Sequence, residues 1–254
     1  MIRLLQLGVF VAFAVFWEIA ARTFADPFYI SSPLQLGKAL AADLINPSFY
    51  NDLRITLVEL FWGYTSGAVG GIFTAILFGR WPTIGRVFDP FLVALNSIPR
   101  IALAPLFVIW FGIDMASKVV LAATLVYFLT FFNTLSGIRA AEPRFINVAR
   151  VVGASEWQIF RHVVLPGATS WIMTGLRTSL PFALIGVIVG EFVAAAAGLG
   201  YRLNFYATSY NAAGTMAMLI VMMVIMMLLN SSMVWLENRL LRWRPKSNER
   251  IRDV

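Results

Sequence analysis

A chain of 254 residues with 59% hydrophobic side chains, only 13% charged ones and a mean hydropathy of +0.78 lies outside the range of water-soluble globular domains. The lack of cysteine excludes disulfide frameworks, thiolate metal sites and cysteine nucleophiles, and a single histidine, His162, excludes a histidine-rich metal site. A net charge of +7 would suit nucleic acid, but the basic residues stand in short gaps between long apolar runs, which is the distribution that membrane topology imposes.

The first segment, Met1-Ile-Arg3 followed by apolar residues to Ala21, has the outline of a signal peptide. Glu18 and Arg22 replace the small residues of a cleavage site, so it reads as a retained first span. A crossing takes about 20 apolar residues. Six runs approach or exceed that scale: Leu4 to Ala21, Leu53 to Phe78, Phe91 to Phe111, Ala116 to Ile138, Ala168 to Ala197 and Gly214 to Leu236. The fifth is long enough to tilt or to enter the bilayer as a broken helix. The ten-residue alternation of a β-barrel is absent, so the expected fold class is an all-α integral membrane protein with six transmembrane helices. Between the first two runs, Asp26-Pro-Phe-Tyr-Ile-Ser-Ser-Pro33 opens a segment in which Pro33, Leu36, Ala39, Leu40 and Leu44 suggest an amphipathic interfacial helix, an ordinary loop being the alternative.

With the N-terminus in the cytoplasm, thirteen basic residues fall on that side: Arg3, Arg80, Arg86, Arg139, Arg144, Arg150, Arg161, Arg239, Arg242, Arg244, Lys246, Arg250 and Arg252. The opposite side receives Arg22, Lys38, Arg54, Lys118 and Arg202. The positive-inside rule therefore predicts both termini in the cytoplasm.

The segment from Glu142 to Pro166, between the fourth and fifth runs, is too polar to span. Phe145, Val148, Ala149 and Val152 recur at helical spacing, Gly153 permits a tight turn, and Ser155 with Gln158 forms a capping-box pattern that starts a second short helix. Pro166 is expected to separate this pair from the fifth span. The apolar stripe must be buried, against its own bundle or against a partner.

Asn147-Val-Ala149, Gly153-Ala-Ser155 and the closing Val163-Val-Leu-Pro166 resemble the EAA loop of ABC importer permeases: Glu-Ala-Ala, three residues, Gly, then about nine residues to an aliphatic-x-Leu-Pro. The resemblance extends along nearly the whole chain. Ser97-Ile-Pro99, Ala104-Pro-Leu106, Trp110-Phe-Gly112 with Ser117-Lys118, Gly137, Thr174-Gly-Leu-Arg177, and Val189-Gly-Glu191 followed by Gly198-Leu-Gly-Tyr201 are similar to the nitrate, taurine and sulfonate permease group. The resemblance implies a type I importer permease fold and a single permease domain over residues 1–254, with a cytoplasmic coupling loop at 139–166. It implies as partners a second permease copy, two ATPase subunits, a periplasmic solute-binding protein and the lipid bilayer, with no nucleic acid. ATP and Mg belong to the ATPase, and no cofactor is expected in this chain, which lacks a G-x-x-x-x-G-K-[ST] loop. Asn147, Ala149, Arg150, Gly153, Ala154, Ser155, Trp157 and Pro166 are the residues it assigns to coupling. Asn147 and Val148 stand where the family has Glu and Ala, which removes a charge from the docking surface.

Polar residues inside the apolar runs form the second group. Glu191 lies deep in the fifth run, where an ionisable side chain needs a cavity or a partner. It is either a pathway or gate residue, or a structural partner of Arg177 or of a hydroxyl on a neighbouring helix. Arg100 and Arg177 either snorkel at the cytoplasmic mouth or favour an anionic solute. Tyr127, Thr130 and Asn133 either bond between helices or line a path. Pro99 and Pro105 break the helical ladder of the third run, where a transporter can gate. The methionines from Met216 to Met227 read as packing of the last span. A secondary transporter is the competing reading, its cue being Glu191. A membrane enzyme ranks last, because the sequence offers no histidine cluster, no paired carboxylates expected at a common membrane depth and no nucleophile with a base.

Overall fold

The structure, a computed structural model, describes residues 2–23 and 31–241, and among them every regular element is helical. α1 (Ile2–Thr23) covers the first apolar run. α2 (Pro33–Ile45) is the helix expected at Pro33. Ser32 accepts the Gln35 N–H, and Glu18 of α1 accepts the Leu34 N–H at 3.1 Å, so two first-turn donors are satisfied while Pro33 has none to offer. Residues 24–30 and 242–254, which hold the start of that outer segment and most of the basic tail, lie outside the described residues.

Among the described residues, four helices are long and apolar enough to cross a membrane: α3 (Pro47–Arg80), α6 (Met115–Arg139), the uninterrupted stretch Glu156–Val193 and α11 (Ala212–Leu240). They carry the second, fourth, fifth and sixth runs. α3 is about 51 Å long at ~1.5 Å per residue, well beyond the roughly 30 Å hydrocarbon layer, so its polar ends reach past the apolar zone.

The third run differs from expectation. It is divided into α4 (Pro82–Ser97), a 3-10 turn (Arg100–Leu103) and α5 (Ala104–Phe111), and counting this broken pair as one gives five spans among the described residues. The break is at Ile98–Pro99: Pro99 lacks an N–H, pushes the preceding residue out of the helical region and has ψ 90. Pro105 breaks nothing. It occupies the first turn of α5, where its missing N–H would have had no partner anyway. The fifth run also ends early, at Val193, and Ala194–Ala197 form the approach to α10 (Leu199–Thr208).

The chain groups into two compact units, one drawn from Met1–Gly67, Ile98–Leu125 and Pro181–Met226, the other from Ala68–Ser97, Val126–Leu180 and Met227–Val254. In the first, Gly63 of α3 and Gly186 of α9 (Leu165–Val193) press on Ala122 of α6, where an added Cβ would stand 2.6 and 2.7 Å from Ala122. Small residues are what let apolar helices approach this closely in the absence of a hydrophobic drive within lipid. Ala104, Phe107 and Leu121 form its buried cluster, with Val189 against them. In the second unit Gly137 of α6 lies under Trp171 of α9, and Ala75, Phe131 and Leu135 form one of its buried clusters.

Candidate functional site

The second unit carries a helical hairpin at residues 143–164. α7 (Pro143–Val151) begins with Pro143 at its first position and closes through Val152 into a turn at Gly153, whose φ of 83 is the left-handed conformation that disfavours side chains. Ser155 then caps α8 (Glu156–Ile159): its hydroxyl accepts the Gln158 N–H at 3.3 Å, and the Gln158 side chain accepts the Ser155 N–H at 2.8 Å. This is the capping box read in the sequence. Arg150 reaches across the turn to Glu156 at 3.0 Å, an exposed pair that fixes geometry more than it adds stability.

The apolar stripe is divided between two faces. Ile146, Ala149 and Ala154 pack inward on the buried cluster of Ile138, Ile159, Phe160, Val164 and Ala168. Phe145, Val148, Val152 and Trp157 point outward, and Val151 is 87% exposed. Asn147 is exposed on α7. Arg80 stands 6.0 Å from the Trp157 ring, which stacks on Phe160. Five large apolar side chains on one short hairpin form a patch of the kind that marks an interaction surface.

Pro166 does not separate the hairpin from the span. A π-helical turn at Phe160–Val164 joins α8 to α9 without interruption, and the Leu165 N–H returns to the Phe160 carbonyl. Widening the turn carries the backbone past the point where the Pro166 ring would meet the carbonyl four residues before it, so the proline is absorbed.

The first unit holds a buried polar cluster around the N-terminus of α10. Three successive backbone donors are each met by a side chain: Gly198 N–H by Asp52 at 3.0 Å, Leu199 N–H by Thr56 at 2.9 Å and Gly200 N–H by Glu191 at 2.5 Å. The Thr56 hydroxyl donates to the other Glu191 oxygen at 2.6 Å, and Glu191 is 1% exposed. Acceptors on the first amides of a helix also face the positive end of its dipole, which favours carboxylates there. Gly198, at φ 114, and Gly200 leave room for that carboxylate; a Cβ on Gly200 would stand 2.6 Å from the Ile188 carbonyl and 2.8 Å from Glu191 Cβ.

One turn along α10, Arg202 donates to Asp52 at 2.7 Å, to Asp43 at 2.8 Å and to Ser48 at 2.7 Å, and Tyr206 donates to Asp43 at 2.7 Å. Burial alone would lower the Arg202 pKa; the hydrogen bonds and charge of Asp52 more than offset it, so the pKa rises and the guanidinium stays charged. Burial, with Asp43 alongside, pushes the Tyr206 hydroxyl up as well. Arg202→Leu is expected to destabilise the protein by about 3–5 kcal/mol, because it leaves two buried carboxylates without their cation. Arg202→Lys restores charge without the fork and should recover part of that in thermal unfolding.

The other sequence candidates are placed as follows. Glu191 takes the hydroxyl of a neighbouring helix, Thr56, and not Arg177, whose own partners are Asn230 at 3.3 Å and Glu237 at 3.7 Å. Tyr127 meets the Thr74 hydroxyl at 3.0 Å across α3 and α6, and Asn133 donates to the Leu129 carbonyl of its own helix at 2.8 Å. Thr130 back-bonds to Val126. Pro99 is exposed at the break in the third run and Arg100, half-buried, opens the turn after it. Sequence reasoning missed Asp43, Asp52, Thr56, Glu59, Arg202 and Tyr206. The signal was present: Asp52, Thr56 and Glu59 recur at four- and three-residue intervals on one face of α3.

Comparison with known proteins bears on the chain as a whole. The family described as binding-protein-dependent transport system inner membrane component matches residues 67–243. The formylaminopyrimidine transport permease protein of Halalkalibacterium halodurans is 34% identical over 93% of this chain and 94% of its own length. The putative aliphatic sulfonates transport permease protein of Bacillus subtilis is 29% identical over 92% and 85%, and the taurine transport system permease protein of Escherichia coli 28% over 92% and 86%. Among solved structures, an amino acid ABC transporter is similar with a TM-score of 0.62 at 20% identity, covering 81% of this chain and 98% of that one. The MetNI methionine ABC transporter in inward-facing conformations gives 0.58 at 22%, covering 77% and 93%.

Proposed function

This chain belongs to the family of binding-protein-dependent transport system inner membrane components, and from that premise we propose that it forms the translocation pathway for a small organic solute with an anionic group, handed over by a periplasmic binding protein. An ABC importer permease subunit, multi-pass in the bacterial inner membrane, it is a transport component and not an enzyme. In the proposed assembly two copies pair and two ATPase subunits bind and hydrolyse ATP. Each copy crosses six times with both termini in the cytoplasm; α1 is the first crossing and the α4–α5 pair the third. The sulfonate and taurine relatives support an acidic solute; the formylaminopyrimidine relative widens the range to nitrogen-rich ones.

The observation that carries the reading is the hairpin. Its inner face is already satisfied by the bundle, yet Phe145, Val148, Val151, Val152 and Trp157 stay uncovered at the end of the molecule that positive charge assigns to the cytoplasm. An ATPase cleft is the partner that would cover them. Co-expressed with its ATPase in proteoliposomes, the protein should stimulate ATP hydrolysis, and removal of Gly153–Trp157 should abolish the stimulation while α9 and the rest of the bundle still fold. Transport unaffected by that deletion and independent of ATP, but collapsed by an ionophore, would favour the gradient-driven alternative. Trp157→Ala alone is expected to weaken ATPase binding about tenfold or more, as loss of a central aromatic anchor does; a pull-down titration reads it.

A further inference from the structure

We infer that a cavity of about 670 Å³ in the second unit is a binding site for the phosphodiester headgroup of an anionic phospholipid, held by Arg86 and Arg139. Spanning a membrane is all this requires, so it stands apart from the ATPase reading. The end of α3, the N-terminal half of α4 and the end of α6 build the walls.

The depth of the cavity follows from the sequence. Phe78 and Ile138, two of its walls, are the last residues of the second and fourth apolar runs, and Arg139 stands immediately beyond. Phe91, next to Pro90 of the wall, opens the third run, directly after Arg86 and Asp89. Three runs thus change from apolar to charged around one cavity, which marks the boundary of hydrocarbon and headgroups. Trp81, 49% exposed between α3 and α4, is the kind of aromatic residue that sits at that level. In the proposed topology this end meets the cytoplasmic leaflet, whose surface is negative.

The positive-inside rule accounts for basic residues at this end but not for a cavity that gathers them. Arg86 is exposed, with no ion pair or hydrogen bond among the described residues. Arg139 meets Asp89 through one nitrogen at 3.5 Å, longer than a good hydrogen bond. Arg80, the next cation, stands 6.0 Å from the rings of Trp81 and Trp157 and is not a wall. Two guanidinium groups against one carboxylate leave one positive charge on the walls, and a phosphodiester, singly negative, neutralises it. The guanidinium fork matches phosphate oxygens, while Phe78, Ile138 and Pro90 offer apolar contact to the glycerol and the first acyl carbons. Basic pockets between spanning helices on the cytoplasmic side hold anionic headgroups in this way. A soluble anion would gain the arginines without the apolar walls, and a zwitterionic headgroup brings no net charge to neutralise them.

Native mass spectrometry of the full-length protein in detergent micelles tests the site, with phosphatidylglycerol, phosphatidylethanolamine and phosphatidylcholine of matched acyl chains as probes. Phosphatidylglycerol should bind about fivefold or more tightly than either zwitterionic lipid, the scale of one arginine at a membrane surface. Arg86→Gln should remove most of that preference. Asp89→Asn should raise it, because it releases Arg139 and adds one net positive charge to the walls. Arg144→Gln, which removes an exposed arginine of α7 on the same side, should leave it unchanged. Equal binding of the three lipids, equal loss in Arg86→Gln and Arg144→Gln, or a preference unmoved by Arg86→Gln overturns the site. Displacement of the lipid by an equal concentration of glycerophosphoglycerol, the same headgroup without acyl chains, would mark a site for soluble phosphodiesters and overturn it too. A pull-down of the ATPase with the same variants keeps the two readings apart. If Arg86→Gln weakens ATPase binding and spares the lipid preference, the cavity belongs to the ATPase contact and the lipid site is removed. A wild-type protein that prefers phosphatidylglycerol but binds no ATPase supports the lipid site and removes the importer reading.

Discussion

Glu191→Leu is expected to destabilise the protein by about 3–5 kcal/mol, with loss of folded yield in detergent and a lowered unfolding temperature. The substitution removes the acceptor of two buried donors, the Gly200 N–H and the Thr56 hydroxyl. Each orphaned group costs roughly 1–3 kcal/mol, more where its partner was charged. Removing a buried carboxylate also relieves a desolvation cost, which would favour leucine if its partners left with it. They do not leave: one is main chain and the other also holds the Leu199 N–H. Glu191→Gln separates the structural role from a pathway role. Its carbonyl can still accept from Gly200, and the Thr56 hydroxyl can rotate to accept from the amide, so the loss should be about half that of leucine. A gate residue would behave otherwise, with Gln altering transport while stability stayed unchanged. Thr56→Val should reproduce the leucine result, since it strands the Leu199 N–H and one Glu191 oxygen together.

Much of the 143–164 hairpin was legible because its determinants are local. Gly153 at the turn and the Ser155–Gln158 reciprocal cap lie within six residues of each other, and each specifies backbone geometry without help from the rest of the fold. The long spans were legible for the same reason, their signal being composition over one run. What escaped depends on distant partners. Glu191 could be recognised as needing a partner, but Thr56 lies 135 residues away, and Arg177, nearer along the chain, pairs with Asn230 and Glu237 on α11. The two prolines of the third run looked equivalent, yet only Pro99 breaks the helix, because only Pro105 falls where a helix begins. Pro166 was misread because a π turn, which has no simple sequence signature, can carry a proline through. Of the α7 stripe only Ala149 turns inward, beside Ile146, which the stripe did not include; the cluster they meet sets that face, and the periodicity of the stripe does not distinguish it.

Substitutions at Gly153 should sever coupling in a graded order. The turn holds φ at 83 with nothing within 4 Å of an added Cβ, so steric collision plays no part and the backbone alone decides. Asn tolerates left-handed geometry and should remain near wild type; Ala should cost about 1 kcal/mol; Val, β-branched, should cost about 2–3 kcal/mol in that conformation. An exposed turn that strained can relax by reorienting α7 against α8 at little expense to the bundle, because Ile159, Phe160 and Val164 anchor the following segment independently. Thermal unfolding of Gly153→Val should therefore fall only slightly, while stimulation of the ATPase should drop by an order of magnitude or more as the Phe145, Val152 and Trp157 surface loses its arrangement. ATPase stimulation that followed side-chain volume instead of left-handed tolerance, with Asn as damaging as Val, would place the effect in a contact made by residue 153 and not in the angle it sets.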